Sequence, residues 1–266
     1  MDFLKKLDEA IGKNNSLVCV GLDPVLEKLP EEFKRQEKPF FEFNKSIIEA
    51  THDLVCAYKP NSAFYEALGA EGIQQLKDTC DYIKSNYPEV PVILDAKRGD
   101  IGSTNEGYIS FAFDYLSCDA ITLHPYMGAK SLEPFLNRAD KGCIILCQTS
   151  NEGAEEFQEL EANGEKLYKA IAREVVERWN KNGNCLLVTG ATYPQQLKEI
   201  REIVGNEIVF LVPGVGAQGG DVEAILQAGL NSKGRGLIVN SSRAIIYSEN
   251  PRQETENLKT QINQYR

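Results

Sequence analysis

The sequence contains no apolar run of the roughly 18 residues that a membrane-spanning helix needs. Its first 15 residues, MDFLKKLDEAIGKNN, form an amphipathic segment of mixed charge. They lack the basic start, the apolar centre and the small-residue cleavage site of a secretory signal. These absences argue against a membrane or secreted protein, and we expect a cytoplasmic one.

Histidine and cysteine are not arranged as metal ligands. Only two histidines are present, His52 and His124, and they lie far apart in the sequence. The seven cysteines include no CxxC pair and no cluster with histidine. A zinc site or a histidine-centred triad is difficult to assemble from these residues, and we predict no metal. The cysteines are expected to be small buried hydrophobic residues in a reducing compartment.

An excess of cationic residues is also lacking. The chain has 29 Lys and Arg against 39 Asp and Glu, which gives a net charge of −10. Nucleic-acid surfaces usually concentrate Lys and Arg, so a nucleic-acid partner is disfavoured. A small anionic ligand is still compatible with this charge, because a few converging cations and backbone amides can override the global field.

Short apolar runs rich in Val, Ile and Leu recur along the 266 residues and do not alternate with polar ones, as is typical of strands buried on both faces. The runs span 17–23, 54–60, 90–97, 120–125, 143–150, 185–192, 207–214 and 236–243. Helical periodicity lies between them, for example over 40–55, 66–87, 163–183 and 193–204. We predict an α/β fold, a (β/α)8 TIM barrel, with a doubly wound open sheet as the alternative. No linker divides the chain, so we expect one domain over 1–266 with an N-terminal helical segment.

The third run ends in charge, with the sequence VILDAKRGDIGST at 92–104. Residues two apart in a strand share a face, so Asp95 and Lys97 should point to the same side. Inside a barrel each charge would be partly desolvated and would need the other. Asp100 follows Gly99, where the backbone can turn. This spacing alone is equally compatible with a solvated salt bridge at the barrel mouth.

Two neighbouring strands also end in charge. Asp23 and Lys59 close the first two runs, and each is followed by a proline. In a barrel of this type the active site lies at the carboxyl ends of the strands, where these residues would meet Asp95 and Lys97. An alternating array of two carboxylates and two lysines would hold a lysine protonated. Such an array suits proton delivery to a carbanion. A purely structural network of ion pairs is the alternative.

A phosphate site is indicated after the last two strands. The segment PGVGAQGGD at 213–221 offers free amides, and glycines such as Gly214 and Gly216 allow close approach to an anion. Gln218 can donate through its amide, and Arg243 offers a planar fork that matches phosphate oxygens. Loops in these positions often bind phosphate in such barrels, although a tight turn alone would also explain the glycines.

The segment ILDAKRGDIGST resembles the D-x-K-x-x-D-[IV]-x-x-T signature of the orotidine 5′-phosphate decarboxylase family. VGLDP, YKPNSAFYEALG, HPYMG, CQTSN, VTGATYP and VPGVGAQGGD look like further segments of that family, and the length resembles its longer, type 2 bacterial branch. The resemblance implies a TIM barrel that converts orotidine 5′-phosphate to uridine 5′-phosphate and carbon dioxide. The reaction would be the last step of de novo pyrimidine synthesis, without metal or organic cofactor.

The resemblance also implies roles for the charged residues. Lys97 would donate the proton to C6 of the pyrimidine as carbon dioxide leaves, and Asp95 would sit beside the departing carboxylate. Lys59 would bond to the ribose and to the carboxylates, and Asp23 would hold a ribose hydroxyl.

Further roles follow from the same resemblance. Ser150 would read the pyrimidine edge, and Gln218 with Arg243 would grip the 5′-phosphate. Asp100 and Thr104 would reach into the site of a neighbouring subunit, which implies a homodimer. The acidic, glycine-bearing segment 151–160 could close over the ligand, although Glu152 stands where many family members have proline. His124, which precedes a proline, is expected to be structural.

Two other functions are compatible with parts of this pattern. One is a magnesium-dependent sugar-phosphate decarboxylase or aldol-type enzyme of the same superfamily, although Lys59 would repel a divalent ion. The other is a phosphate-ligand-binding barrel without catalytic activity. Dependence of turnover on metal, and turnover itself, distinguish the three.

Overall fold

Eight parallel strands lie where the apolar runs predict them. The computed structural model describes residues 2–215 and 221–266. The strands are β1 Val18–Leu22, β2 Ala57–Pro60, β3 Ile93–Arg98, β4 Ala120–Leu123, β5 Gly142–Gln148, β6 Cys185–Thr189, β7 Phe210–Val212 and β8 Leu237–Ser241. Most of their residues are buried, because helices cover the outer face of the sheet while side chains fill its interior.

The strand order shows a barrel rather than an open sheet. The order is β2-β1-β8-β7-β6-β5-β4-β3, and every pair is parallel. Isolated parallel bridges from Tyr58 to Val92 and from Asn61 to Asp95 join β2 to β3 and complete the circle. The predicted (β/α)8 barrel is confirmed, and the doubly wound alternative is wrong because the strand order never reverses.

Helices follow each strand and return the chain to the start of the next one. The α-helices are Phe3–Asn14, Glu31–Lys34, Pro39–Thr51, Ser62–Glu66, Gly69–Asn86, Gly102–Ile109, Ala129–Leu136, Glu155–Gln158, Leu167–Glu174, Pro194–Val204, Val222–Gly229, Arg243–Ile246 and Pro251–Asn263. A 3₁₀ turn covers Leu26–Lys28, and π-helical turns at Ser110–Tyr115 and Val175–Trp179 extend two of the helices. Within residues 2–215 and 221–266, no helix combines the length and apolar character needed to cross a membrane.

The predicted helix over 163–183 begins later than expected. Glu161–Ala162 pairs antiparallel with Glu165–Lys166, and the helix starts at Leu167. Asn163 and Gly164 form the turn of this hairpin with φ of 56° and 84°. Positive φ at both positions is what a two-residue hairpin turn requires, and Asn-Gly is the preferred pair for it.

All seven cysteines are free thiols and are buried, which confirms the predicted burial. Burial raises the pKa of the Cys19 thiol to about 12 and that of Cys185 to about 12. These thiols are therefore protonated at neutral pH and act as apolar packing groups.

Candidate active site

The Asp95 carboxylate is the centre of a cluster at the carboxyl ends of β2, β3 and β4. Its Oδ2 accepts hydrogen bonds from Lys59 Nζ at 2.9 Å and from Asn61 Nδ2 at 3.3 Å. Its Oδ1 accepts from Lys97 Nζ at 2.6 Å and from Thr122 Oγ1 at 2.9 Å. Each carboxylate oxygen thus has two donors, so the acceptor capacity of this nearly buried group is well satisfied.

The charges in this cluster support one another. Burial lowers the pKa of the Lys59 ammonium, but the fields of Asp95 and Asp23 outweigh that effect and keep the pKa above its usual value. Burial likewise raises the pKa of Asp95, but Lys59 and Lys97 outweigh it and the pKa lies well below the usual range. Both groups are therefore ionised at neutral pH despite their burial.

Asp23 joins the cluster through Asn61. It lies one residue beyond the end of β1 and is followed by Pro24, which lacks an amide proton to continue the ladder. Its Oδ1 accepts from the Asn61 amide nitrogen at 3.2 Å. Of the predicted array, Lys59, Asp95 and Lys97 are in direct contact, whereas Asp23 acts on Lys59 through its field.

Lys97 has an unusual backbone. Its φ is 47°, in the left-handed region that residues with a β-carbon disfavour. The pairing of β3 with β4 shifts register between Leu94 and Arg98, so Lys97 lies in a bulge. The contact between Asp95 and Lys97, predicted from strand alternation, is therefore made by a bulged backbone rather than by a regular strand.

Two adjoining cavities open onto the cluster, and Lys59, Asp95 and Pro213 line both. The first has a volume of about 420 Å³ and is lined further by Lys97, Thr122, Leu146, Thr149, Ser150, Asn151, Gln158, Val188 and Leu211. The second has a volume of about 390 Å³ and is lined further by Asp23, Asn61, Phe64, Gly214, Val215, Asn240, Ser241, Ser242 and Arg243. The shared residues Lys59 and Asp95 therefore place the charged cluster where the two cavities meet.

A larger cavity of about 540 Å³ lies at the opposite end of the barrel, beside the helix Phe3–Asn14. Its wall includes Asp8, Glu207 and Arg235, and the site residues that the sequence predicts lie elsewhere. Size alone therefore does not identify the site, because the titratable groups with the strongest mutual interactions converge at the other end of the barrel.

The structure places most of the predicted binding residues at this site. Ser150 lines the first cavity, and Gly214 and Arg243 line the second. Gly216 and Gln218 lie outside the described residues. Of the residues predicted to bind the phosphate, Arg243 and Gly214 thus line the second cavity, whereas Lys97 lines the first.

Asp100 and Thr104 do not line either cavity of their own chain. The Asp100 carboxylate accepts from the Ile101 amide at 2.7 Å, and Thr104 is exposed in the first turn of Gly102–Ile109.

His124 packs against the loop that follows β3, with Nε2 at 2.9 Å from the Gly99 carbonyl oxygen. A β-carbon at Gly99 would lie 2.7 Å from that nitrogen, so the glycine permits the close packing of the histidine ring.

Asn61, Thr122 and Gln158 are among the residues of the site to which the sequence alone assigns no role of their own. Asn61 and Thr122 donate to Asp95, and Gln158 binds Thr149 at the mouth of the first cavity, with Nε2 at 2.7 Å from Oγ1 and Oε1 at 2.7 Å from the amide nitrogen. Asn61 stands two positions after Lys59 and could have been inferred from alternation along the strand. Thr122 depends on a contact across strands, for which the sequence carries no local signal, whereas Gln158 lies within the segment 151–160 that the sequence already places near the ligand.

Comparison with known proteins identifies the family. The sequence model described as Orotidine 5'-phosphate decarboxylase / HUMPS family matches residues 16–258. The chain belongs to this family. The family resemblance expected from the sequence motifs is confirmed, and the match includes all eight barrel strands.

Individual relatives within the family are similar over nearly their whole length. The chain is 52% identical to the orotidine 5′-phosphate decarboxylase of Cellvibrio japonicus over 252 residues, covering 94% of this chain and 91% of that protein. It is 53% identical to that of Herpetosiphon aurantiacus over 247 residues, covering 92% and 90%. The structure of Leishmania donovani OMP decarboxylase superposes with a TM-score of 0.89 at 40% identity, covering 100% of this chain and 99% of that one.

Proposed function

We propose that this protein decarboxylates orotidine 5′-phosphate to uridine 5′-phosphate, with Lys97 as the proton donor. The observation that carries the proposal is the Asp95 carboxylate, which holds a buried lysine on one oxygen and a half-exposed one on the other. The half-exposed ammonium of Lys97 faces a cavity that adjoins a second one lined by Arg243. The proposed proton donor and the proposed phosphate-binding cation thus line two cavities that share Lys59, Asp95 and Pro213.

The chemistry needs one bond to break and one to form. The bond from C6 to the carboxylate carbon breaks, carbon dioxide leaves, and the electron pair stays on C6. The Lys97 ammonium stabilises this developing charge and then transfers a proton to it, which forms the C6–H bond. The resulting neutral lysine takes a proton back from solvent. Because a protonated lysine supplies both the positive charge and the proton, we infer a reaction without metal or organic cofactor.

Asp95 contributes through its fixed negative charge. In this proposal the substrate carboxylate binds beside it, and the repulsion between the two anions disappears as carbon dioxide leaves. Four hydrogen bonds hold Asp95 in place, so the carboxylate cannot turn away from the incoming anion. The same bonds keep it ionised, which the repulsion requires.

The two cavities suit the two ends of a nucleotide. We propose that the cavity with Ser150 takes the pyrimidine, whose amide edge the serine hydroxyl can read. The other cavity takes the ribose phosphate, with Asp23 and Lys59 on the ribose hydroxyls and Arg243 on the phosphate. Gly214 offers close backbone approach, and Gly216 with Gln218 belong to the same proposed grip.

We further propose a homodimer in which Asp100 and Thr104 complete the site of the neighbouring subunit. Both lie outside the cavities of their own chain. Exposed apolar side chains stand on the same rim, with Ile101 at 60% exposure and Tyr126 at 89%. Apolar groups exposed to this extent beside a site are suited to burial against a second copy.

The geometry disfavours the magnesium-dependent alternative. A divalent ion would need the Asp95 oxygens as ligands, but Lys59 Nζ occupies one at 2.9 Å and Lys97 Nζ the other at 2.6 Å. Two ammonium groups so close to the carboxylate would repel the ion.

The test is the absorbance change of orotidine 5′-phosphate with purified protein in excess chelator. We expect loss of the substrate with formation of uridine 5′-phosphate. Turnover that appears only when magnesium is restored would refute the proposal in favour of the metal-dependent relatives. Nucleotide binding without turnover in either condition would refute it in favour of a binding protein.

A further inference from the structure

Thr122 enters the proposal above only as one of four donors to Asp95, yet its hydroxyl contacts both Lys97 and Asp95. We propose that Thr122 is a positioning residue, whose hydroxyl fixes the bulge at Lys97 and the orientation of the Asp95 carboxylate. Its kinetic consequences rest on the proposed function, whereas its structural consequences do not.

The bulge leaves Thr122 opposite three residues of β3. Leu94 pairs with Ile121, and the next pair is Arg98 with Leu123. Asp95, Ala96 and Lys97 therefore stand against the single residue Thr122. A bulge re-aims side chains but interrupts the backbone ladder, so its amides need other acceptors.

The threonine hydroxyl supplies the missing acceptor. The amide nitrogen of Lys97 donates to Thr122 Oγ1 at 2.9 Å. This bond holds Lys97 at its positive φ, which a regular strand does not provide. The ladder resumes beyond it, with the His124 amide donating to the Arg98 carbonyl at 3.0 Å.

The direction of the second hydrogen bond is fixed by the first. A hydroxyl carries one hydrogen, and because Oγ1 of Thr122 accepts from Lys97, that hydrogen is free to go to Asp95 Oδ1 at 2.9 Å. The same Oδ1 accepts from Lys97 Nζ. A closed ring thus runs from the Lys97 amide through Thr122 and Asp95 to the ammonium of Lys97. Thr122 is 1% exposed, so bulk water has little access to replace its hydroxyl.

The ring makes the position of the Lys97 ammonium depend on Thr122. Without the hydroxyl, the Lys97 amide and Asp95 Oδ1 each lose a partner, and the bulge is free to relax toward a regular strand. Since the proton must reach C6 along a defined direction, a small displacement of Nζ slows the reaction without removing the groups that bind the nucleotide.

The test compares three variants of the full-length protein with the wild type. Thr122→Val removes the hydroxyl at nearly constant size, and Thr122→Ser keeps it. Thr189→Val is the matched control, because Thr189 is also buried at a strand end but its hydroxyl meets no hydrogen-bond partner among the described residues. We expect Thr122→Val to lower kcat about 10- to 100-fold with little change in the affinity for uridine 5′-phosphate, and Thr122→Ser to recover most of the loss.

Amide hydrogen exchange at Lys97 gives a readout that does not need turnover. Thr122→Val should speed exchange of this amide at least about tenfold, whereas Thr189→Val should leave it unchanged. Unchanged exchange in Thr122→Val would overturn the inference, as would equal losses of kcat in Thr122→Val and Thr122→Ser. If the wild type did not decarboxylate the nucleotide, the proposed function would fail, and exchange alone would decide the role of Thr122.

Discussion

Lys59 and Lys97 bind opposite oxygens of the same carboxylate, but their side chains differ in exposure, at 4% and 48%. Lys59 is enclosed by the barrel and cannot leave Asp95 without losing its compensating charge. Lys97 can reach toward a ligand in the cavity. The pair therefore divides two tasks, and substitutions at the two positions should have different consequences.

Replacing Lys97 should remove turnover and leave the fold and nucleotide binding in place. Lys97→Ala lacks the proposed proton donor, so we expect kcat to fall by about 10²- to 10⁴-fold. An ion pair with a half-exposed lysine contributes little, so the free energy of unfolding should change by less than about 1 kcal/mol. Calorimetric titration with uridine 5′-phosphate and urea unfolding provide the controls. Activity within about threefold of the wild type would exclude Lys97 as the donor.

Removing Asp95 should destabilise the barrel because it leaves Lys59 charged and buried. We expect Asp95→Leu to lower the free energy of unfolding by about 3–5 kcal/mol. The double variant Asp95→Leu with Lys59→Met replaces both charges by apolar groups and should recover most of that loss. Urea unfolding of the three proteins measures both effects. A double variant no more stable than Asp95→Leu would show that the buried charge is not the cause.

The stabilisation by Asp95 should depend on pH in a defined direction. Its pKa is lower in the folded protein than the ordinary 3.8, so its contribution to stability is present above that value and is lost as the pH falls below it. We expect the difference in free energy of unfolding between wild type and Asp95→Asn to be largest near neutrality and to shrink below about pH 4. Urea titrations at several pH values test this, and a difference that stays constant down to about pH 3 contradicts it.

Arg243 should act on binding more than on the chemical step. We expect Arg243→Ala to raise KM for orotidine 5′-phosphate about 10- to 100-fold, the value of hydrogen bonds to a charged group. The KM of Arg243→Lys should lie between those of the wild type and Arg243→Ala, because lysine keeps the charge but not the planar fork. Orotidine without the phosphate is the control substrate. Its kcat/KM should be the same with wild type and Arg243→Ala, and an equal loss for both substrates would place Arg243 elsewhere than on the phosphate.

Two inactive variants should restore activity when they are mixed, if Asp100 acts across a dimer. A heterodimer of Lys97→Ala and Asp100→Ala contains one site with both residues intact. After exchange of subunits in a mixture of equal parts, we expect about one quarter of the wild-type activity. Each variant assayed alone sets the background. No gain on mixing, with exchange of subunits verified, would place Asp100 in its own site or outside both.

The strands and the charged strand ends could be predicted because each depends on local sequence. Parallel strands covered on both faces leave continuous apolar runs, and Asp23, Lys59 and Asp95 interrupt these runs where they reach the rim. The role of Thr122 could not be predicted, because it lies in an ordinary apolar run and acts through a bulge in the neighbouring strand. The Asn163–Gly164 turn does carry a recognisable hairpin signal, but the strong helical pattern that follows extended the predicted helix across it.

The weakest joint of the barrel, between β2 and β3, is bridged by the charged cluster. Backbone pairing there is reduced to isolated bridges, whereas Lys59 and Asn61 on one side both hold Asp95 on the other. The side chains proposed for the chemistry therefore also hold β2 against β3 and help to close the barrel. A substitution at Lys59, Asn61 or Asp95 would therefore affect the closure of the barrel as well as the chemistry proposed for the site.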